Sequence, residues 1–301
     1  MKGEHQIFQG HIVESEKDLY YVAYDSGGVQ KILPCQGRGV FREKNLKPMV
    51  GDLVEIALRE DSPTGTIHHI LPRKNRLLRP PVANVDQVLV VQTIESPSLN
   101  PLALDKILVS IERRKLPILL CFNKMDCATA EDMEKWTALY RSIGYPTLMT
   151  NALTGEGVEA VKAALEGKIT ALAGPSGAGK SSLVRKMTGL DVQVGDLSSK
   201  IGRGRQTTRN IRLFDIGREG FLFDTPGFST LSLDEFEDVS LVRECFPEFQ
   251  ALEEACKFRN CLHRKEPACA VKAACDRGEI GKSRYASYLK ILEEVEKSQT
   301  Y

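Results

Sequence analysis

No stretch of this chain stays apolar for long. Its longest hydrophobic runs, such as residues 117–122, fall far short of the roughly 20 residues a membrane-spanning helix needs. The first ten residues, MKGEHQIFQG, lack an apolar signal core, which predicts a cytoplasmic protein with no membrane partner. Internal repeats and low-complexity tracts are also missing, and the composition excludes a disordered chain, a coiled coil or a collagen-like repeat. Net charge is nearly absent: 41 basic residues against 40 acidic ones leave +1. Taken whole, that balance argues against a nucleic-acid binder. Disulfides are not expected in a reducing compartment, so the eight cysteines need another explanation. What remains is an ordinary globular composition, 42% hydrophobic and 27% charged, over 301 residues, enough for two or three domains.

The pattern along the chain divides it into three. Residues 6–12, 19–24, 29–33, 53–58 and 65–70 read as short strands separated by Gly, Asp, Ser and Pro, which predicts a small OB-type β-barrel over 1–75. The basic run 73–79, ending in Pro80 and Pro81, reads as a linker. From Asp86, strands at 87–93, 116–122, 147–150 and 169–173 alternate with helical patterns at 102–114, 130–143, 158–165 and 181–187. Alternation of this kind means an α/β domain with a parallel sheet covered on both faces, here over 76–230 and closed by strands at 211–216 and 220–224. Residues 231–301 read as a small helical domain with a helical tail at 285–296.

The strongest chemical signal is Gly174-Pro175-Ser176-Gly177-Ala178-Gly179-Lys180-Ser181, lying between a strand and a helix as a Walker A loop must. Glycines let successive N–H groups face phosphate oxygens, and the helix N-terminus adds partial positive charge. Lys180 is expected to bridge the β- and γ-phosphates, Ser181 to ligate Mg²⁺, and the contacts to extend to Ser182. The base is specified elsewhere. Asn123-Lys124-Met125-Asp126 follows a strand directly, and a carboxylate at Asp126 accepts from the guanine N1–H and 2-amino group, a pattern adenine lacks. Asp224-Thr225-Pro226-Gly227 ends another strand; Asp224 suits Mg²⁺ held through water, and the Gly227 amide suits the γ-phosphate. Between these, the Gly- and Arg-rich segment 202–209 carries Thr207 and Thr208, whose hydroxyls suit a nucleotide-sensing switch. In ordinary GTPases the phosphate loop comes first and the guanine reader late. Here the reader precedes the loop, so the expected fold is a circularly permuted P-loop GTPase, with its switch-bearing end directly before the C-terminal domain.

That C-terminal domain carries Cys256-x₄-Cys261-x-His263-x₅-Cys269. Three thiolates and an imidazole suit one closed, structural Zn²⁺ site, with Cys275 as a replacement ligand. The near-zero net charge dissolves when read by segment. Residues 234–254 hold eight acids against one base, Arg243, whereas 255–290 hold nine bases against three acids. The segment 200–212 holds five bases and no acid, and 73–79 adds four more. A barrel, a basic switch and a basic zinc domain together predict an RNA-facing surface.

A permuted GTPase between an N-terminal barrel and a Cys/His cluster resembles the ribosome small-subunit-dependent GTPase A family (RsgA, also YjeQ/YloQ). Cys35-x-Gly37-Arg38-Gly39-x-Phe41-Arg42, Val50-Gly51-Asp52 and Arg79-Pro80-Pro81-x-Ala83-Asn84-x-Asp86 are similar to its barrel and linker sequences. The resemblance implies a GTP hydrolase that docks as a monomer on the small ribosomal subunit and its rRNA, late in subunit assembly, and is stimulated by it. It favours His263 over Cys275 as the fourth zinc ligand and Thr208 over Thr207 as the Mg²⁺ ligand. It aligns Asn151-Ala152 with the family's guanine-supporting Ser-Ala loop, Asn151 standing where serine is usual and the Ala152 amide facing guanine O6. It also puts Gln206 where the family commonly has a water-positioning histidine. Glutamine orients water but is a poor base. Two rivals remain: a nucleotide kinase, and a zinc/OB RNA-binding scaffold whose nucleotide site is only structural. The first leaves Asn123–Asp126 unexplained.

Overall fold

The computed structural model describes residues 6–39, 41, 46–58, 62–78, 81–189, 212–224 and 236–299. They fall into two compact units. One holds the chain up to Asp86, Leu165–Ala171 and the strands near 214–224; the other holds Gln87–Ala164, the chain from Leu172 through the next helix, and the C-terminal helices.

In the first unit, β1 (Gln6–Glu16), β2 (Leu19–Asp25), β3 (Gln30–Gly37), β4 (Leu53–Leu58) and β5 (Gly65–Ile70) close into a barrel of order β1-β2-β3-β5-β4. Only the β3–β5 pairing is parallel. β1 outruns its expected length because it pairs with β2 and with β4. A register shift between Ile12 and Glu14 bends it from one partner to the other. Ile12, Val22, Cys35, Val54, Ile56 and Ile67 are inward-facing and fully buried. The expected OB-type barrel is present.

The segment expected to be a linker is ordered instead. β6 (Arg76–Leu78) pairs antiparallel with β7 (Pro81–Ala83). Just before it, Arg73 donates from Nε and Nη2 to the two carboxylate oxygens of Asp52, at 2.6 and 2.7 Å. Asp52 is completely buried, and a buried carboxylate needs such a partner. Lys74 Nζ lies 2.7 Å from Asp86.

The α/β layer is built on β8 (Gln87–Gln92), β9 (Ile118–Asn123), β10 (Thr147–Thr150), β11 (Ile169–Ala173), β12 (Phe214–Asp215) and β13 (Phe221–Asp224), in the order β10-β9-β8-β11-β13-β12. β8, β9 and β10 run parallel, and β12 pairs antiparallel with β13. β8, β9 and β11 are buried at every position, the mark of strands covered on both faces. The helices are α1 (Pro101–Glu112), α2 (Ala130–Ile143), α3 (Val158–Leu165) and α4 (Lys180–Thr188). Asn100 caps α1 and Thr129 caps α2, each accepting from a backbone N–H three residues on, and Gly144 ends α2 in the left-handed region. β9 ends at Asn123 and β11 at Ala173, so the Asn123–Asp126 and Gly174–Ser181 segments both leave the carboxyl edge, where such sheets bind ligands.

After residue 235 come α5 (Leu241–Glu244), α6 (Pro247–Glu253), α7 (Ala270–Asp276) and the long α8 (Lys282–Gln299). They pack around Phe246, Phe249 and Tyr288, whose rings meet at centroid distances of 4.9–5.2 Å, and Val109 of α1 joins the same core. No helix among the described residues is long and apolar enough to cross a membrane.

Candidate functional site

The phosphate loop needs its glycines for two different reasons. Gly174 has φ +130°, and a Cβ there would lie 2.0 Å from the Val91 carbonyl oxygen of β8. Gly179 has φ +85°, and its Cβ would lie 2.3 Å from Asn123 Nδ2. The first lets the loop cross a neighbouring strand; the second lets Asn123 touch the glycine-rich loop. Lys180 opens α4 and donates from Nζ to the Gly174 and Pro175 carbonyls at 2.7 and 2.8 Å, so its ammonium is folded into the loop. Ser181 follows it in the first turn and is buried.

Asn123 is the hub. Its side chain is buried; Nδ2 donates to the Ala178 carbonyl at 2.9 Å, while Oδ1 accepts from Thr150 Oγ1 and the Ala152 N–H, both at 3.0 Å. One amide thus ties β9 to the phosphate loop and to the 150–154 loop. The Ala152 amide, expected to face guanine O6, is one of its donors. Asn151, the departure from serine, accepts from the Leu153 and Thr154 amides at 3.0 and 3.3 Å and closes its own loop as an Asx turn. Lys124 sits in the left-handed region, its Nζ donating to the Ser96 carbonyl at 2.8 Å. Asp126 lies in the following 3-10 turn with its carboxylate exposed. Asp224 is the last residue of β13. Gln206, Thr207, Thr208 and Gly227 lie outside the described residues.

The second cluster brings Cys256, Cys261, His263 and Cys269 together, with one ligand atom of each within 4.8 Å of all the others. Cys275 is not in the group. His263 Nδ1 lies 3.6 Å from Cys256 Sγ and 3.4 Å from Cys269 Sγ, so this nitrogen faces the sulfurs. Three thiols and an imidazole converging in this way can hold a zinc ion. The backbone is shaped for it: His263 is left-handed at φ +52°, and its carbonyl and that of Leu262 accept from Tyr285 and Tyr288 hydroxyls at 2.7 and 2.6 Å. Cys269 caps α7, where the helix end favours a thiolate. Burial pushes the Cys261 thiol up to about 12 and holds His263 below its ordinary value, with Arg243 adding to the latter. A bound cation reverses the cost for both. Glu266 braces the loop by accepting from the Leu262, Arg264 and Lys265 amides at 2.7–2.9 Å. Burial alone would raise its carboxyl, but these amides hold it below the usual range.

The RsgA GTPase family model matches residues 70–234, and the RsgA N-terminal domain model matches 9–67. The chain belongs to the RsgA GTPase family. It is 44% identical to the "Small ribosomal subunit biogenesis GTPase RsgA" of Caldanaerobacter subterraneus subsp. tengcongensis, covering 97% of each chain. It is 39% identical to the protein of that name from Alkaliphilus metalliredigens, over 97% of this chain and 99% of the relative. Among solved structures it resembles YloQ, described as a circularly permuted GTPase (TM-score 0.81, 31% identity, 99% of this chain and 98% of that one). YjeQ from Thermotoga maritima gives a TM-score of 0.79 at 35% identity, over 96% and 99%. The protein is a GTP-hydrolysing enzyme with the permuted fold that its motif order requires.

Membership in the RsgA GTPase family leaves one expectation to be corrected on the basic surface. Arg284, counted among its cations, is completely buried. Its Nη1 donates to Asp105 Oδ1 of α1 at 2.5 Å, its Nε and Nη2 to Glu248 of α6 at 2.7 and 3.2 Å, and its guanidinium lies 4.6 Å from the Phe246 ring centroid. Tyr140 of α2 donates to the same Asp105 oxygen at 3.2 Å. Arg73 and Lys74 are committed to Asp52 and Asp86, Arg264 to Glu296, and Arg277 to Glu279. Lys257, Arg259, Lys265, Lys282 and Lys290 are exposed, as is Phe258 between the first two.

Proposed function

We propose that this GTPase binds the small ribosomal subunit late in its assembly, that the subunit stimulates its hydrolysis, and that hydrolysis releases it. The observation that carries the reading is its similarity, along nearly the whole chain, to GTPases named for small ribosomal subunit biogenesis. In this reading Asp126 reads guanine, Asn123 holds the two loops around it, and the Asn151-Ala152 loop flanks the base. The Gly174–Ser182 loop cradles the phosphates through its amides and Lys180. Ser181 and Thr208 ligate the Mg²⁺ that accompanies GTP, Asp224 holds it through water, the Gly227 amide meets the γ-phosphate, and Gln206 orients the attacking water. Zinc held by Cys256, Cys261, His263 and Cys269 serves structure, since four protein ligands leave no open position for chemistry. The barrel of 1–75, the GTPase domain of 76–230 and the zinc domain of 231–301 meet rRNA together. In the last of these, the exposed run Lys257-Phe258-Arg259 offers an aromatic face between two cations, which suits an unpaired base. The protein works as a monomer in the cytoplasm.

GTP hydrolysis with and without purified small subunits tests this. Stimulation by the subunit is expected; its absence refutes the ribosomal role. Lys180→Ala should lower turnover roughly 100-fold or more, and intact turnover would refute the site assignment.

A further inference from the structure

The acidic run 234–254 contains a single base, Arg243. The fold sets it against the metal cluster. Arg243 Nη1 donates to the carbonyl of Cys261 at 3.0 Å, and its Nε lies 3.8 Å from Glu253 Oε1. The same Glu253 oxygen lies 3.9 Å from His263 Nε2. Arg243 Nε, Glu253 Oε1 and His263 Nε2 are all buried and have no hydrogen-bond partner among the described residues. Two donors and one acceptor therefore converge. A shift of roughly 1 Å in the carboxylate, or one bridging water, would satisfy all three.

The imidazole's orientation says what this convergence is for. Its Nδ1 faces two sulfurs, so Nδ1 must be proton-free to bind a metal. The ring proton then sits on Nε2, the nitrogen that faces Glu253. With the ring fully buried, that N–H needs an acceptor inside the protein.

We propose that Arg243 and Glu253 form a clasp that positions two of the four metal ligands. Glu253 accepts from His263 Nε2 and thereby fixes the tautomer and ring orientation that present Nδ1. Arg243 holds the Glu253 carboxylate with one edge of its guanidinium and the Cys261 carbonyl with the other. Neither residue ligates the metal. The clasp rests on the zinc reading given above, and its test separates the two.

Zinc content of the purified full-length protein, measured by elemental analysis, addresses the zinc reading alone; a wild-type chain without zinc overturns that reading. With zinc present, competition against a chromophoric chelator reads affinity. Glu253→Ala is expected to weaken zinc binding roughly 10- to 100-fold, the usual effect of removing a group that orients a ligating histidine. Glu253→Gln keeps an acceptor in place and should recover most of the loss. In cobalt(II)-substituted protein, the visible absorption bands of Glu253→Gln should match the wild type and those of Glu253→Ala should shift. Binding of a fluorescent GDP analogue, which the clasp does not touch, confirms that each variant is folded. Zinc affinity of Glu253→Ala within twofold of wild type overturns the proposal. Equal losses in both variants overturn it as well, because packing rather than the hydrogen bond would then be responsible.

Discussion

Replacing Asn123 with alanine should disable nucleotide binding by releasing the loops that its side chain ties together. The side chain makes three hydrogen bonds, at 2.9, 3.0 and 3.0 Å, to three different stretches of chain. Alanine leaves the Ala178 carbonyl and the Ala152 amide without partners, in residues that are 0% and 6% exposed. The Thr150 hydroxyl can rotate to another acceptor and counts for less. Two buried backbone groups left unmade cost roughly 1–3 kcal/mol each, so the total is about 2–6 kcal/mol. If that falls on the geometry of the loops, affinity for GDP drops roughly 30- to 20,000-fold. Titration with a fluorescent GDP analogue measures the drop, and thermal unfolding of the same samples measures how much instead appears as lost stability. Asn123→Asp sharpens the test: it keeps both acceptor contacts but sets a carboxylate oxygen against the Ala178 carbonyl, so it should recover little. Affinity within threefold of wild type for the alanine variant, with unchanged stability, would refute the hub role.

Three further outcomes are expected. Gly174→Ala pushes a methyl to 2.0 Å from the Val91 backbone oxygen and should abolish detectable GDP binding; Gly217→Ala, at φ +79° in open space, should cost only about 1 kcal/mol by thermal unfolding. Arg284→Met strands Asp105 and Glu248 and should destabilise the protein by roughly 3–5 kcal/mol in urea unfolding; a cost under 1 kcal/mol would mean the buried pair is not structural. Glu266→Gln should destabilise by roughly 1–3 kcal/mol at pH 7. The folded carboxyl lies below its unfolded value, so its stabilisation is present above about pH 4.3 and is lost as pH falls through the folded value. The difference between variant and wild type should therefore vanish in strong acid, and a difference that persists there would contradict this account.

The parts of the fold that sequence made legible are those with local causes. Helix α2 has its expected bounds because Thr129 and Gly144 punctuate it, and β10, α3 and β11 do as well. The convergence of Cys256, Cys261, His263 and Cys269 was legible in their spacing, as was the position of Asn123 and Gly174 at the ends of strands. The β6–β7 hairpin was not, since two prolines and four cations disguise strands of three residues each. Neither was the fate of Arg284. Its partners lie 179 and 36 residues away, and nothing in its neighbourhood distinguishes it from the exposed cations around it. The roles of Asn123 and Ala152 show a subtler limit: a motif names the residues that meet a ligand but not which of them hold one another.

Asp105 and Lys106 are neighbours on α1, and both are tied to α8, one through Arg284 and the other through Glu294. Val109, one turn further along α1, lies in the core of the C-terminal helices. The expected boundary near residue 230 is therefore crossed by the ties between α1 and α8, which lie in one compact unit. A chain cut there would keep every nucleotide motif, yet its first crossover helix would present a buried carboxylate with no counter-charge and an apolar stripe open to water. The C-terminal helices serve as the outer wall of α1, so an isolated GTPase fragment is an incomplete body rather than a smaller enzyme.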